Sequence, residues 1–215
     1  MILHDNDVIV FTGDSVTDMG RALPDGEGFG DGLGNGYVRI AENLLVSSYP
    51  DITLRIINQG TSGNTSRDLL NRYENDVLSK NPDYVAICIG VNDIWRQLDL
   101  PQNPDAHVYA DEYEANLRKM IESTKDRVKD IFLITPYVME TNKDDAMRKL
   151  IDEYGDIVKS LANEYSLTVV DFQKAYDDFF EHRHPTFISW DRIHPNQIGS
   201  TIMAREFLKA VDFEY

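Results

Sequence analysis

The sequence has little cysteine, little positive charge and no long apolar run, and each shortage excludes a class of protein. One of its 215 residues is a cysteine, Cys88, so the chain cannot form an internal disulfide, which is typical of a reducing compartment. Lysine and arginine number 21 against 37 acidic residues, and the net charge of −16 disfavours nucleic acid and anionic membranes as partners. No apolar stretch approaches the length of a membrane span, and no secretory signal precedes the first apolar run. We therefore expect a cytoplasmic protein that binds neither nucleic acid nor a membrane.

The chain does contain short apolar runs that alternate with helical patterns. Five runs, at 8–11, 52–57, 83–89, 131–135 and 168–171, are rich in β-branched and aromatic residues, which predicts buried strands. Between them apolar residues recur at helical spacing. The alternation predicts an α/β fold, a three-layer αβα sandwich around a five-stranded parallel sheet. With 42% hydrophobic residues and no linker or repeat, we expect a single domain over residues 1–215.

Two segments depart from this alternation. Glycine stands at every second position from 26 to 36, which predicts a long loop beside the first strand. A dinucleotide fingerprint is excluded there because it needs glycines at i, i+2 and i+5. The segment 94–109 contains Pro101 and Pro104, and we expect it to be irregular.

The first three predicted strands each end in a turn of small polar residues, at 13–15, 62–64 and 90–93. Because the carboxyl ends of parallel strands meet at one edge of a sheet, these turns are expected to converge on one crevice. A loop near the C-terminus supplies Asp191 and His194, which are three residues apart and can meet within one turn. The tripeptide at 13–15 alone would indicate only a turn with a helix cap. The expected convergence of the three turns and the C-terminal loop is what indicates a functional site.

These residues match the needs of acyl transfer, which are a nucleophile, a base, a carboxylate that orients the base, and donors for the oxyanion. Ser15, His194 and Asp191 supply the first three. The backbone N–H groups of Ser15 and Gly63 and the side-chain amide of Asn92 supply the donors. This chemistry needs no cofactor and no metal ion, and we expect neither.

The same blocks, in their order and spacing, resemble those of the SGNH (GDSL) hydrolases. The resemblance runs from the first strand to the last helix and rests on 13–15, Gly63, 90–93 and 191–194. It implies a flavodoxin-like αβα fold and a serine esterase in which Asp191 orients the base. The four name-giving roles fall on Ser15, Gly63, Asn92 and His194.

A narrower similarity is to the bacterial intracellular acetylxylan esterases of this superfamily, and it is carried by 13–18, the glycine-rich loop to Val38, 94–97 and 190–192. It implies removal of acetyl groups from xylo-oligosaccharides through an acetyl-enzyme on Ser15, and it allows a homo-oligomer. Trp95 and Trp190 lie beside these blocks and could stack on a sugar; packing or a subunit interface is the alternative for both.

Three other functions compete with sugar deacetylation. Within the same chemistry, the protein could be a short-chain esterase, a thioesterase or a lysophospholipase. A metal-dependent phosphoesterase would use Asp14, Asn92, Asp93, Asp191 and His194 as ligands, which is a poor set for a two-metal site. A sugar-binding module without catalytic activity is the third alternative, although none of the motifs is broken.

Overall fold

The computed structural model of the protein is built around one sheet of five parallel strands. They are β1 (Val8–Gly13), β2 (Arg55–Gly60), β3 (Tyr84–Cys88), β4 (Asp130–Ile134) and β5 (Thr168–Val170). Their order across the sheet is β2-β1-β3-β4-β5, and every neighbouring pair is parallel. This is the flavodoxin-like order, in which the ligand crevice lies outside the carboxyl ends of β1 and β3. The predicted fold class is therefore confirmed.

The structure describes residues 1–28 and 30–214. Phe29, inside the glycine-rich loop, and Tyr215, the last residue of the expected domain, lie outside the described residues.

Helices cover both faces of the sheet. The described residues form eight α-helices: α1 (Ser15–Asp18), α2 (Tyr37–Ser48), α3 (Ser66–Asp76), α4 (Val91–Asp99), α5 (Ala110–Thr124), α6 (Ala146–Tyr165), α7 (Phe172–Phe180) and α8 (Gln197–Ala210). Helix α8 packs against α2 and α7, whereas α5 packs against α3 and α6, and α6 also contacts α4. None of the helices in the described ranges is both long and apolar enough to cross a membrane.

The core on one face is centred on three aromatic rings from separate elements. The ring of Phe207 in α8 lies 4.7 Å from that of Phe11 in β1 and 5.3 Å from that of Phe132 in β4, both edge to face. All three side chains are fully buried. Such pairs add to the free energy of burial and fix α8, whose preceding loop carries Asp191 and His194, against the sheet.

Two segments differ most from the prediction. The segment expected to be irregular begins as a helix, because α4 runs from Val91 to Asp99 and the two prolines come only after its end. Val91 and Ile94 are buried on one face of that helix, a spacing too short to register in the sequence. The second strand ends at Gly60 and not at Ile57, because the polar Asn58 is buried within it and its amide donates to the backbone carbonyls of Thr17 and Leu33.

Candidate active site

Ser15 lies where β1 ends and α1 begins. A side chain at Gly13 would place its Cβ 2.0 Å from the carbonyl oxygen of Cys88 in the neighbouring strand, so only glycine fits at this turn. Asp14 caps the helix, and its carboxylate accepts a hydrogen bond from the N–H of Val16 at 3.0 Å. The hydroxyl of Ser15 is thereby held at the crevice, with its Oγ 2.8 Å from Nε2 of His194.

The loop before α8 brings Asp191 and His194 together. Oδ2 of Asp191 lies 2.6 Å from Nδ1 of His194. The other carboxylate oxygen, Oδ1, accepts hydrogen bonds from the backbone N–H groups of Ile193 and His194 and from the hydroxyl of Ser189, at 2.8 to 3.0 Å. The carboxylate therefore organises the loop with one oxygen and orients the imidazole with the other.

The segment that follows β4 holds this loop in place. None of its contacts with the loop was predicted from the sequence. The hydroxyl of Tyr137 donates to the carbonyl of Ile193 at 2.9 Å, and the N–H of Met139 donates to the carbonyl of Arg192 at 2.9 Å. Nη2 of Arg192 lies 2.8 Å from a carboxylate oxygen of Asp145, which caps α6. These partners lie about fifty residues away along the chain, so no local pattern could reveal them.

Two carboxyl groups near the serine have opposite pKa shifts. Burial alone would raise the pKa of Asp191, but the hydrogen bonds from His194 and Ile193 and the nearby imidazole outweigh it and lower the pKa from 3.8 to about 2. The stabilisation of the fold by this pair is therefore present above about pH 4 and lost as the pH falls towards 2. Complete burial raises the pKa of Asp14 to about 7, although the Val16 N–H and His194 oppose the shift.

The expected oxyanion donors come from three different elements. Gly63 lies in the turn after β2 with a φ of +84°, a conformation that favours glycine, while a Cβ there would meet open space. Asn92 is the second residue of α4, and its Nδ2 donates to the carbonyl of Asn64 at 3.0 Å, which leaves its other hydrogen for a ligand. Within the described part of the chain, no acceptor pairs with the backbone N–H of Ser15 or of Gly63.

Asp93 joins two of these elements. Its buried carboxylate accepts hydrogen bonds from both the backbone N–H and the hydroxyl of Ser66, the first residue of α3. Burial raises the pKa of Asp93 to about 7, against the effect of the bonds from Ser66. The carboxylate of Asp93 therefore caps the start of α3. No three His, Cys, Asp or Glu side chains in residues 1–28 and 30–214 are grouped to hold a metal ion.

The two tryptophans differ in their relation to the site. The ring of Trp95, in α4, is half-buried, and its centroid lies 6.4 Å from that of His194. The guanidinium of Arg96 packs 5.4 Å from the same indole. Trp190 is 90% exposed and precedes Asp191 directly, so its ring takes no part in the core.

Known proteins share this arrangement of elements along the whole chain. A model of the "GDSL-like Lipase/Acylhydrolase family" matches residues 11–202. An acetylxylan esterase of Geobacillus stearothermophilus is 46% identical over 100% of this chain and 98% of its own length. The crystal structure of Axe2, an acetylxylan esterase from the same organism, superposes with a TM-score of 0.97 at 47% identity, covering 100% of this chain and 98% of that one.

A further crystal structure is of a catalytic mutant of Axe2, S15A, with a TM-score of 0.97 and 46% identity over 100% of this chain and 98% of that one. The family model covers most of the chain, and the acetylxylan esterase matches all of it. The chain belongs to the GDSL-like lipase/acylhydrolase family.

Proposed function

We propose that the protein is a serine esterase that removes O-acetyl groups from acetylated xylo-oligosaccharides or related sugars. The observation that carries the chemistry is a continuous hydrogen-bonded line, from Oγ of Ser15 through both ring nitrogens of His194 to the carboxylate of Asp191, at 2.8 and 2.6 Å. The substrate class is supported by the similarity to acetylxylan esterases over the full length of the chain.

In the first half of the proposed reaction, Oγ of Ser15 attacks the acetyl carbonyl carbon while Nε2 of His194 takes its proton. The carbonyl oxygen becomes negative and is bound by the N–H groups of Ser15 and Gly63 and by the amide of Asn92. The tetrahedral intermediate then breaks its bond to the sugar oxygen, which receives the proton from His194. The deacetylated sugar leaves, and the acetyl group remains as an ester on Ser15.

In the second half a water molecule replaces the sugar. His194 takes a proton from the water as the water oxygen attacks the acetyl-enzyme, and the same donors bind the second oxyanion. Collapse releases acetic acid, which ionises to acetate in solution, and returns the proton on His194 to Oγ of Ser15. Asp191 stays ionised throughout, because its pKa is about 2, and its negative charge stabilises the imidazolium that forms in each half.

The substrate is tested by comparing acetate release from acetylated xylo-oligosaccharides with hydrolysis of p-nitrophenyl acetate, p-nitrophenyl octanoate and a lysophospholipid. We expect acetate from the sugars and from p-nitrophenyl acetate, with octanoate and lipid at least about 100-fold slower in kcat/KM, a difference of about 3 kcal/mol. A preference for octanoate or lysophospholipid would contradict the substrate while keeping the three reacting side chains. Failure to hydrolyse any ester would indicate a sugar-binding module.

We also propose that the protein works in the cytoplasm, on sugars short enough to be imported, and as a homo-oligomer. The lone Cys88, buried and without a disulfide, fits a reducing compartment.

The proposed assembly is supported by large apolar side chains at the surface. Among them, Leu23 at 80% and Trp190 at 90% exposure are suited to contact with a second copy. The net charge of −16 opposes binding to nucleic acid. A monomeric mass in light scattering would contradict the proposed assembly.

A further inference from the structure

The guanidinium group of Arg72, near the end of α3, is bound to three separate segments of the candidate site. Its Nη2 donates to the carbonyl of Gly13 at 2.9 Å, and its Nη1 donates to the carbonyl of Gln59 at 2.9 Å. Its Nε donates to the side-chain oxygen of Asn64 at 2.6 Å. One planar group therefore joins the end of β1, the end of β2 and the turn that follows β2.

Two of these contacts, those with Gly13 and Asn64, lie close in sequence to an expected oxyanion donor. Gly13 precedes Ser15 by two residues, and Asn64 directly follows Gly63. The main-chain carbonyl of Asn64 accepts the hydrogen bond from Nδ2 of Asn92. All three donors are therefore attached, directly or through one residue, to groups that Arg72 binds.

Helix α3 is fixed at its start, and the guanidinium of Arg72 is fixed by a partner on the same helix. Thr65 and Asp68 form a capping box at its start, and the first residue of α3 is bonded to the carboxylate of Asp93 in α4. On the helix, Asp76 lies 3.0 Å from Nη1 of Arg72 and fixes the plane of the guanidinium. The side chain of Arg72 is 17% exposed, so its bonds are largely shielded from water.

We propose that Arg72 is a positioning residue that holds the oxyanion donors of Ser15, Gly63 and Asn92 in their mutual geometry. The inference rests on the proposed function, since the donors matter only if an oxyanion forms. Such donors act when they lie about 2.7–3.1 Å from the developing charge, and a misplacement of about 1 Å can lower the rate about 100-fold. A guanidinium can bind several acceptors in one plane, whereas the ammonium group of lysine cannot.

The first test is Arg72→Gln, assayed with p-nitrophenyl acetate. We expect kcat and kcat/KM to fall together by roughly 10- to 100-fold with KM changed less than about two-fold, as for an interaction made only in the transition state. Arg67→Gln is the matched control, because Arg67 stands on the same helix and also makes four hydrogen bonds, to Glu112, Asp105 and His107. An equal loss in both variants would overturn the proposal, since the effect would then be one of helix stability.

A double-mutant cycle with Asn92→Ala separates positioning from general damage. If Arg72 acts through the donors, Arg72→Gln should lower kcat much less in the Asn92→Ala background than in the wild type, because one of the donors it positions is already gone. Equal fold-changes in the two backgrounds would contradict the proposal. Arg72→Lys should lose nearly as much activity as Arg72→Gln, and full activity in that variant would show that charge alone suffices.

If Arg72→Gln does not fold, Asn64→Ala tests the same contact from its other partner. That change removes the side-chain oxygen that Arg72 binds and keeps the main-chain carbonyl that binds Asn92. We expect about a 10-fold or larger loss of kcat with thermal stability near that of the wild type, and an unchanged kcat would overturn the proposal.

These tests can be told apart from a failure of the proposed function. Because p-nitrophenyl acetate is the substrate, an error in the proposed sugar would leave the tests valid. An error in the nucleophile would be revealed separately by Ser15→Ala.

Discussion

Replacing Ser15 with alanine is expected to lower kcat/KM for acetyl esters by about 10⁴- to 10⁶-fold. The change removes the hydroxyl whose Oγ lies 2.8 Å from Nε2 of His194, and a methyl group can form no acyl intermediate. The rate that remains would come from the oxyanion donors and from substrate binding alone. The measurement is hydrolysis of p-nitrophenyl acetate and of acetylated xylo-oligosaccharides by the purified variant.

The fold should be unaffected, because the side chain of Ser15 makes no hydrogen bond to residues 1–28 and 30–214 apart from that to His194. Ser123→Ala is a suitable control, since Ser123 is an exposed helical serine whose hydroxyl donates to the carbonyl of Met120 in its own helix at 2.9 Å. It should keep the wild-type rate. Retention of more than about one-hundredth of the activity by Ser15→Ala would contradict the assignment of the nucleophile.

Replacing Asp191 with asparagine is expected to lower kcat by about 10⁴-fold while leaving the loop intact. Three donors converge on Oδ1 of Asp191, so the amide oxygen must occupy that position and the amide nitrogen must face Nδ1 of His194. An amide nitrogen donates to Nδ1, which forces the proton of the neutral imidazole onto Nε2. His194 then cannot accept the proton of Ser15.

The matched control is Asp178→Asn, because Asp178 forms an exposed ion pair with Lys174 at 2.8 Å on α7, where such pairs contribute little to stability. We expect this control to retain full activity and Asp191→Asn to keep a thermal midpoint close to that of the wild type. A wild-type rate in Asp191→Asn would assign the orienting role to another residue. A large drop in its thermal midpoint would show that the loop geometry itself had been lost.

The convergence of the site could be predicted because it follows from the sheet. Three polar turns after three apolar runs must meet at one edge if the strands are parallel, and the observed order places β1 between β2 and β3. Asp191 and His194 are close in sequence, so their pairing needed no knowledge of the rest of the chain. The strands after which Ser15, Gly63 and Asn92 follow were therefore located correctly, although the roles of the three residues remain predictions.

The bonds that hold these residues in place could not be predicted. Arg72 binds the carbonyl of Gly13 across 59 positions, and Tyr137 binds that of Ile193 across 56. A single sequence contains no periodicity or spacing that records such pairs. The helix α4 was missed for a related reason. Its few buried residues pack on parts of the chain that are distant in sequence, and the two prolines that follow the helix suggested a loop.

The measurement that tests the central claim most directly is the capture of the acetyl-enzyme. The protein is mixed with acetylated xylo-oligosaccharides, quenched with acid during turnover, digested, and analysed by mass spectrometry. The proposed mechanism predicts one additional acetyl group on the peptide that contains Ser15, lost when the sugar is exhausted, and none in Ser15→Ala. Acetylation at a different residue would contradict the mechanism. So would release of acetate from the sugars without acetylation of Ser15, under conditions in which p-nitrophenyl acetate does leave a trapped acetyl-enzyme.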